Sequence, residues 1–300
     1  MGSPIYKNCM IMAAAFSKIL IPVDFSVSTE IAVRKAIGFI EPENAFIQLL
    51  HVIKPPVLRK LFSWGPAACG SRLPVSGKYA LREAENKLEE WKSLIRENLP
   101  GVPVKSSILN GASVQQMIVQ SARMLSPDLI IIGRQGNRRR WPFFHAVSPD
   151  YIARQSNCPV LTVKPGSIHH KTKLIVMPVR NAVPERELEL AVMIAKKYRA
   201  QVHLVAIQES PKIQGGDPSQ AFIQTYHRLR EKLHHPVEYF SVTRHNPVKA
   251  TLDYAEFVMA DMILMNPETG SGLSSFTGSR HISDLLARDS KIQILDVLPY

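Results

Sequence analysis

Short apolar runs alternate with amphipathic stretches along the whole chain. "KILIPV" (Lys18 to Val23) is apolar and rich in β-branched residues, and "DFSVS" behind it supplies turn and N-cap candidates in Asp24, Ser26 and Ser28. The pair predicts a strand entering a helix, "TEIAVRKAIGFI". "AFIQLLHVI" (Ala45 to Ile53) predicts a second buried strand, stopped by Pro55 and Pro56, and a Gly- and Pro-containing loop runs on to about Gly77. "KYALREAENKLEEWKSLIREN" has Leu81, Leu88, Trp91 and Leu94 on one helical face, and "VPVKSSIL" follows as a third strand. "SVQQMIVQSARML" is a helix, "DLIIIG" a fourth strand, "SPDYIARQS" a short helix and "CPVLTVK" a fifth strand. Strands alternating with helices imply βαβ units and a parallel, doubly wound α/β sheet.

The same order returns after the polar stretch "PGSIHHKT". "KLIVMPV" echoes "KILIPV", "VHLVAIQ" echoes "IQLLHVI", and "ADMILMN" echoes "PDLIIIG". Helical segments "ELELAVMIAKKY", "AFIQTYHRLREKL", "PVKATLDYAEFVMA" and "SRHISDLLA" fall between the strands, and "KIQILDV" closes the series. The chain therefore reads as an internal duplication: an N-terminal extension at 1–17, one α/β domain at 18–165 and a divergent second at 173–300. A length of 300 residues accommodates two cores of about 150 residues each.

Composition narrows the class. With 45% hydrophobic and 21% charged residues the chain is an ordinary globular one, and no apolar run reaches the roughly 20 residues of a membrane span. Cys9, Cys69 and Cys158 are few, odd in number and widely separated, which argues against a disulfide framework or a zinc site and for a reducing cytoplasm. Lys7 followed by "CMIMAAAF" has the shape of a very short signal peptide; an extension ahead of the first strand, or a start at Met10 or Met12, fits better. A net charge of +12 and a pI near 9.7 point to anionic partners without choosing among nucleotides, nucleic acid and a lipid surface.

In an open parallel sheet, ligands bind beyond the carboxyl ends of the strands where the strand order reverses. For an order of 3-2-1-4-5 that place is flanked by "PVDFS" after strand one and "GRQGN" after strand four. Gly133 and Gly136 lack a Cβ and would let backbone N–H groups approach phosphate oxygens; a helix start near Ser148 would add its dipole. Each residue also has a plainer reading: Asp24 as a helix cap, Pro22 as a turn residue, Val52 as strand core, the glycines as an ordinary turn.

Taken together, "KILIPVDFS", "LLHV", "DLIIIGRQG" and "SNCPVLTVK" resemble the universal stress protein family, and the whole chain is similar to a tandem member of it. The resemblance implies two Rossmann-like domains of the adenine nucleotide alpha hydrolase type. Each would be a five-stranded parallel sheet of order 3-2-1-4-5 with helices on both faces, the two pairing through their last strands as an internal pseudo-dimer. It also implies ATP or another adenine nucleotide as ligand in some members. Carried onto this sequence, Asp24 and Val52 would lie near the base, Pro22 and Gly133 near the ribose, and Gln135, Gly136 and Asn137 near the phosphates, with Val23 a further nucleotide-site candidate. The family cradle reads G-x-x-G, nine residues, then G-S or G-T. Nine residues on from Gly136, this chain has Ala146 and Val147, with Ser148 one place late. In the second half, Arg180 stands at the acidic position, Asn266 and Thr269 replace glycines, and Pro267 removes a donor. Gly278, Ser279 and Arg280 keep a Gly-Ser pair that reads as an anion site or a helix cap.

No Walker A loop, nucleophile elbow, H-E-x-x-H helix or metal-spaced Cys/His cluster occurs in the sequence, so no catalytic or metal-ligating residue is assigned. The reading is a stress-response binding or regulatory protein of the cytoplasm with a degenerate nucleotide site in its first domain, an unidentified protein partner, and room for further homodimerisation. The alternative is an interaction scaffold without nucleotide. Its basic loop Arg138, Arg139 and Arg140, beside Trp141, Phe143 and Phe144, would meet an acidic protein, nucleic acid or an anionic membrane.

Overall fold

The computed structural model describes residues 16–53, 75–134, 147–168, 171–208, 219–243, 246–267, 282–287 and 289–299. The first half runs β1 (Lys18–Val23), α1 (Val27–Phe39), β2 (Phe46–Ile53), α2 (Val75–Asn98), β3 (Val104–Asn110), α3 (Val114–Leu125), β4 (Leu129–Gly133), α4 (Pro149–Ser156) and β5 (Val160–Val163). The second runs β6 (Leu174–Val179), α5 (Glu185–Tyr198), β7 (Gln201–Gln208), α6 (Gln220–Lys232), β8 (Val237–Thr243), α7 (Pro247–Phe257), β9 (Met262–Met265) and β10 (Gln293–Asp296).

All ten strands join one sheet of order β3-β2-β1-β4-β5-β10-β9-β6-β7-β8. Each half is parallel, as the alternation of strands and helices predicts, and follows the order 3-2-1-4-5 that the family resemblance implies. The halves join where β5 and β10 pair antiparallel, Leu161 opposite Leu295. The two half-sheets therefore run in opposite directions, and the carboxyl ends of one half share an edge of the molecule with the amino ends of the other.

Both faces of a parallel sheet are covered, so the central strands β1, β4 and β9 are nearly continuous apolar runs, while the edge strands β3 and β8 carry polar residues. Alternate residues divide between two layers: Ile19, Ile21 and Val23 face α1, whereas Leu20 faces the opposite side with Ile118 and Ile152 of α3 and α4. On the first face α1, α2, α5 and α6 share a single core across both halves, including Leu161, Val163 and Leu295 at the junction. On the second face, each half has its own core.

The duplication extends to polar detail. Asp128, ahead of β4, accepts the backbone N–H groups of Ser17 and Lys18 at 2.9 and 2.8 Å. Asp261, ahead of β9, accepts those of Lys173 and Leu174 at 2.8 and 3.1 Å. In each half the carboxylate fixes the start of the central strand.

One expectation is corrected. The stretch "SRHISDLLA" predicts a helix, but its described part is a single 3-10 turn at Ile282–Asp284. The Leu286 and Ala287 carbonyls accept the buried Lys164 ammonium at 2.6 and 3.1 Å, so a partner from the other half satisfies them.

Candidate functional site

Pro22 is the residue that shapes the crevice. β1 pairs with β2 over its whole length, Lys18 opposite Phe46 to Val23 opposite His51, but with β4 only at Ile19 and Leu20. Proline has no N–H to donate to a ladder, and on the β4 side the ladder has ended before position 22. The central strands separate towards their carboxyl ends, and α1 starts in the gap. Pro178 repeats the arrangement in β6, whose ladder to β9 stops at Val176.

Gly133 at the end of β4 is needed for this packing. A Cβ there would lie 2.0 Å from the Ser28 carbonyl oxygen and 2.3 Å from its carbon, so the first turn of α1 can seat on β4 only over a glycine. The sequence reading placed this glycine at a ligand; its nearest demonstrated neighbour is α1.

Asp24 holds the turn between β1 and α1. Its carboxylate Oδ1 accepts the Ser26 N–H at 3.0 Å and the Thr29 hydroxyl at 2.7 Å, while the Asp24 N–H donates to Thr29 Oγ1 at 3.1 Å. Ser26 is the N-cap residue, but its hydroxyl makes no capping bond; it is buried without a partner among the described residues, as is that of Ser28, which lies inside the helix. The turn holds Phe25 at φ 61°, a left-handed conformation that costs a non-glycine residue of the order of 1 kcal/mol and marks functional or tightly constrained positions. The result is a ring pair: Phe25 lies against His51 with centroids 4.5 Å apart. His51 Nδ1–H donates to the Val23 carbonyl at 2.8 Å, and burial lowers the pKa of the ring. Val52, beside it, is buried.

The other wall is the start of α4. Val147 is buried, Ser148 is the N-cap and Pro149 the first helical residue. The Ser148 hydroxyl donates to the Asp150 carboxylate and caps no backbone N–H. A carboxylate in this first turn takes up part of the attraction the helix dipole holds for anions. Arg134, next to Gly133, joins the two walls: Nη1 donates to the Val147 carbonyl at 3.2 Å, and Nη2 to Asp284 of the second half at 2.8 Å.

Pro22, Val23, Asp24, Val52 and Gly133 thus meet at the carboxyl ends of β1, β2 and β4, with Val147 and Ser148 tied to them through Arg134. Gln135, Gly136, Asn137, Ala146, the basic loop Arg138, Arg139 and Arg140 with its aromatic residues, and Gly278, Ser279 and Arg280 lie outside the described residues. In the second half, Ser219 Oγ donates to the Arg180 carbonyl at 2.9 Å, and the Pro267 carbonyl accepts Arg154 of the first half at 3.0 Å. Sequence reasoning missed Arg134, His51 and Asp284. Arg134 adjoins a singled-out glycine, but Asp284 is distant in sequence and is brought to it by the β5–β10 pairing.

Among the described residues no group of three or more His, Cys, Asp or Glu residues could hold a metal, and no helix is long and apolar enough to cross a membrane.

A doubly wound sheet with its crevice at the first and fourth strands defines the class, and comparison with known proteins defines the family within it. Residues 15–164 match the profile of the universal stress protein family, half of the chain. A universal stress protein of Methanocaldococcus jannaschii is 30% identical over 161 residues, 51% of this chain and 98% of that protein. A second from the same organism is 26% identical over 150 residues, 50% of this chain and 82% of its own length. The crystal structure of a universal stress protein from Archaeoglobus fulgidus aligns with a TM-score of 0.64 at 17% identity, covering 94% of this chain and 96% of that one, and shows the shared fold. The chain belongs to the universal stress protein family.

Proposed function

We propose that the chain is a two-domain nucleotide-responsive binding protein of the cytoplasm. The domains are 18–165 and 173–300, preceded by an extension at 1–17. ATP or another adenine nucleotide is held weakly in the first domain, and the second acts as a structural partner. The observation that supports this most directly is the parting of β1 from β4 beyond Leu20, which leaves Asp24, the Phe25–His51 ring pair and Val52 around one opening. Apolar and ring surface beside a carboxylate suits an adenine base, whose exocyclic amine can donate to Asp24.

Weak affinity follows from the sequence and from α4. Ala146 stands where the family has a glycine, Val147 supplies no hydroxyl, and the Ser148 hydroxyl is engaged by Asp150. Turnover is not part of the proposal, because no residue here is assigned to position and activate a water. The protein's role is then to change its contacts with a protein partner according to nucleotide level.

Calorimetric titration of the full chain with ATP, ADP and AMP tests this, with Gly136→Arg as the control that fills the cradle. Saturable heat lost in the variant supports nucleotide binding. Absence of heat at high micromolar protein leaves the basic loop as the site to examine, and replacement of Arg138, Arg139 and Arg140 by Ala then reads out salt-sensitive binding to lipid or nucleic acid.

A further inference from the structure

The rim of the first crevice carries a group from the other half. Arg134 follows the last residue of β4, adjoins Gln135, which the family resemblance assigns to phosphate, and donates to the Val147 carbonyl. Its second amino group is held at 2.8 Å by Asp284, with side chains only 15% and 24% exposed. The carboxylate is fixed in turn: the 3-10 turn that bears it, Ile282–Asp284, runs into Leu286 and Ala287, whose carbonyls accept the buried Lys164 ammonium from the end of the first half. A further crossing in the same direction runs from Arg154 of α4 to the Pro267 carbonyl beyond β9.

We propose that Asp284 is an autoinhibitory counter-charge for the first crevice. It occupies the guanidinium that an incoming polyphosphate would engage and adds a negative charge to the phosphate end. Anionic ligand and Asp284 compete for Arg134, so ligand entry weakens a tie between the halves. Through this tie, ligand binding in the first half alters the junction with the second. Asp284 is a positioning residue that acts through Arg134, and the proposal rests on the nucleotide reading above.

Two consequences separate competition from a structural role. Removing one unit of negative charge should raise affinity in proportion to ligand charge. From Coulomb's law in a water-like dielectric, the gain is about tenfold for ATP and about threefold for AMP at low salt, shrinking as salt is added. The gain should also shrink when Arg134 is replaced, because only the direct Coulomb part is left once there is no guanidinium to withhold.

The experiment is titration of wild type, Asp284→Asn, Asp284→Glu, Arg134→Gln and the Asn/Gln double variant with ATP, ADP and AMP in metal-free low-salt buffer, with melting temperature recorded for each. Tighter binding in Asp284→Asn, graded by charge, retained restraint in Asp284→Glu and a smaller gain from Asp284→Asn in the Arg134→Gln background support the proposal, whereas an equal gain in both backgrounds overturns the competition. Equal affinity of wild type and Asp284→Asn, or a loss shared equally by all three nucleotides, overturns it while leaving the nucleotide reading intact. If Asp284→Asn binds and wild type does not, the inhibition is complete. Failure of every variant to bind overturns the nucleotide reading and this inference together. Should Asp284→Asn not fold, the same comparison is made with Asp284→Ser, judged by the same criteria.

Discussion

Replacing Gly133 by alanine adds one methyl group at the floor of the crevice, where there is no space for it. The new Cβ would stand 2.0 Å from the Ser28 carbonyl oxygen, 2.3 Å from its carbon and 2.9 Å from its Cβ. Two of these three atoms are backbone of the first turn of α1, and Ser28 is 2% exposed, so no flexible chain end can swing aside. Relief requires α1 to lift from β4 by an ångström or more, with the apolar contacts of Ile31 and Ala32 loosened behind it. Overpacking of this kind costs about 3 kcal/mol, the upper part of its usual range. Urea denaturation followed by far-ultraviolet circular dichroism measures the loss. Gly38→Ala is the internal control, since its Cβ would meet nothing nearer than the Tyr198 hydroxyl at 3.7 Å inside α1; there the gain in helix propensity should stabilise by up to about 1 kcal/mol. A Gly133→Ala variant within about 0.5 kcal/mol of wild type would refute the packing role assigned to this glycine.

Three further outcomes are expected. Glu187 in α5 is 3% exposed, its Oε2 has no partner among the described residues, and burial raises its pKa from 4.5 to about 7. The folded chain therefore keeps a proton that the unfolded chain releases, so this site's contribution to stability is full below about pH 4.5 and is lost as pH rises to about 7. Glu187→Gln should remove that slope and stabilise at pH 8 by up to about 3 kcal/mol, read from urea midpoints across pH; an unchanged slope counts against it. Asp128→Ala and Asp261→Ala should each cost about 2 kcal/mol, because each strands two strand-start N–H groups; a large cost in one and none in the other would break the equivalence of the halves. Lys197→Met should cost about 1–2 kcal/mol in thermal unfolding, since its ammonium caps the Phe39 and Ile40 carbonyls at the end of α1 from the other half.

The fold was legible because apolar runs of strand length recur at matching intervals in both halves. "KILIPV" and "KLIVMPV" announce the same central strand, and their shared proline marks where it parts from its neighbour. The last helix was misjudged: the pattern of "SRHISDLLA" suits a helix, but its described part holds only a 3-10 turn, followed by carbonyls that accept Lys164 from the first half. The site was legible only in outline. Asp24 and Gly133 stand out in sequence, but that Asp24 anchors the turn through Ser26 and Thr29, and that Gly133 seats Ser28, are facts of three-dimensional packing. Asp284 could not be anticipated, since the antiparallel pairing of β5 with β10 brings it to Arg134 across 150 positions of sequence.

Hydrogen exchange of the full chain with and without saturating ATP tests nucleotide binding in the first crevice most directly, because it reports both occupancy and location. The prediction is slower exchange at Val23 to Thr29 and at Ser148 to Ile152, with the corresponding second-half segments after β6 and β9 unchanged. Protection confined to the second half, or none at ATP concentrations that saturate the calorimetric signal, would contradict it.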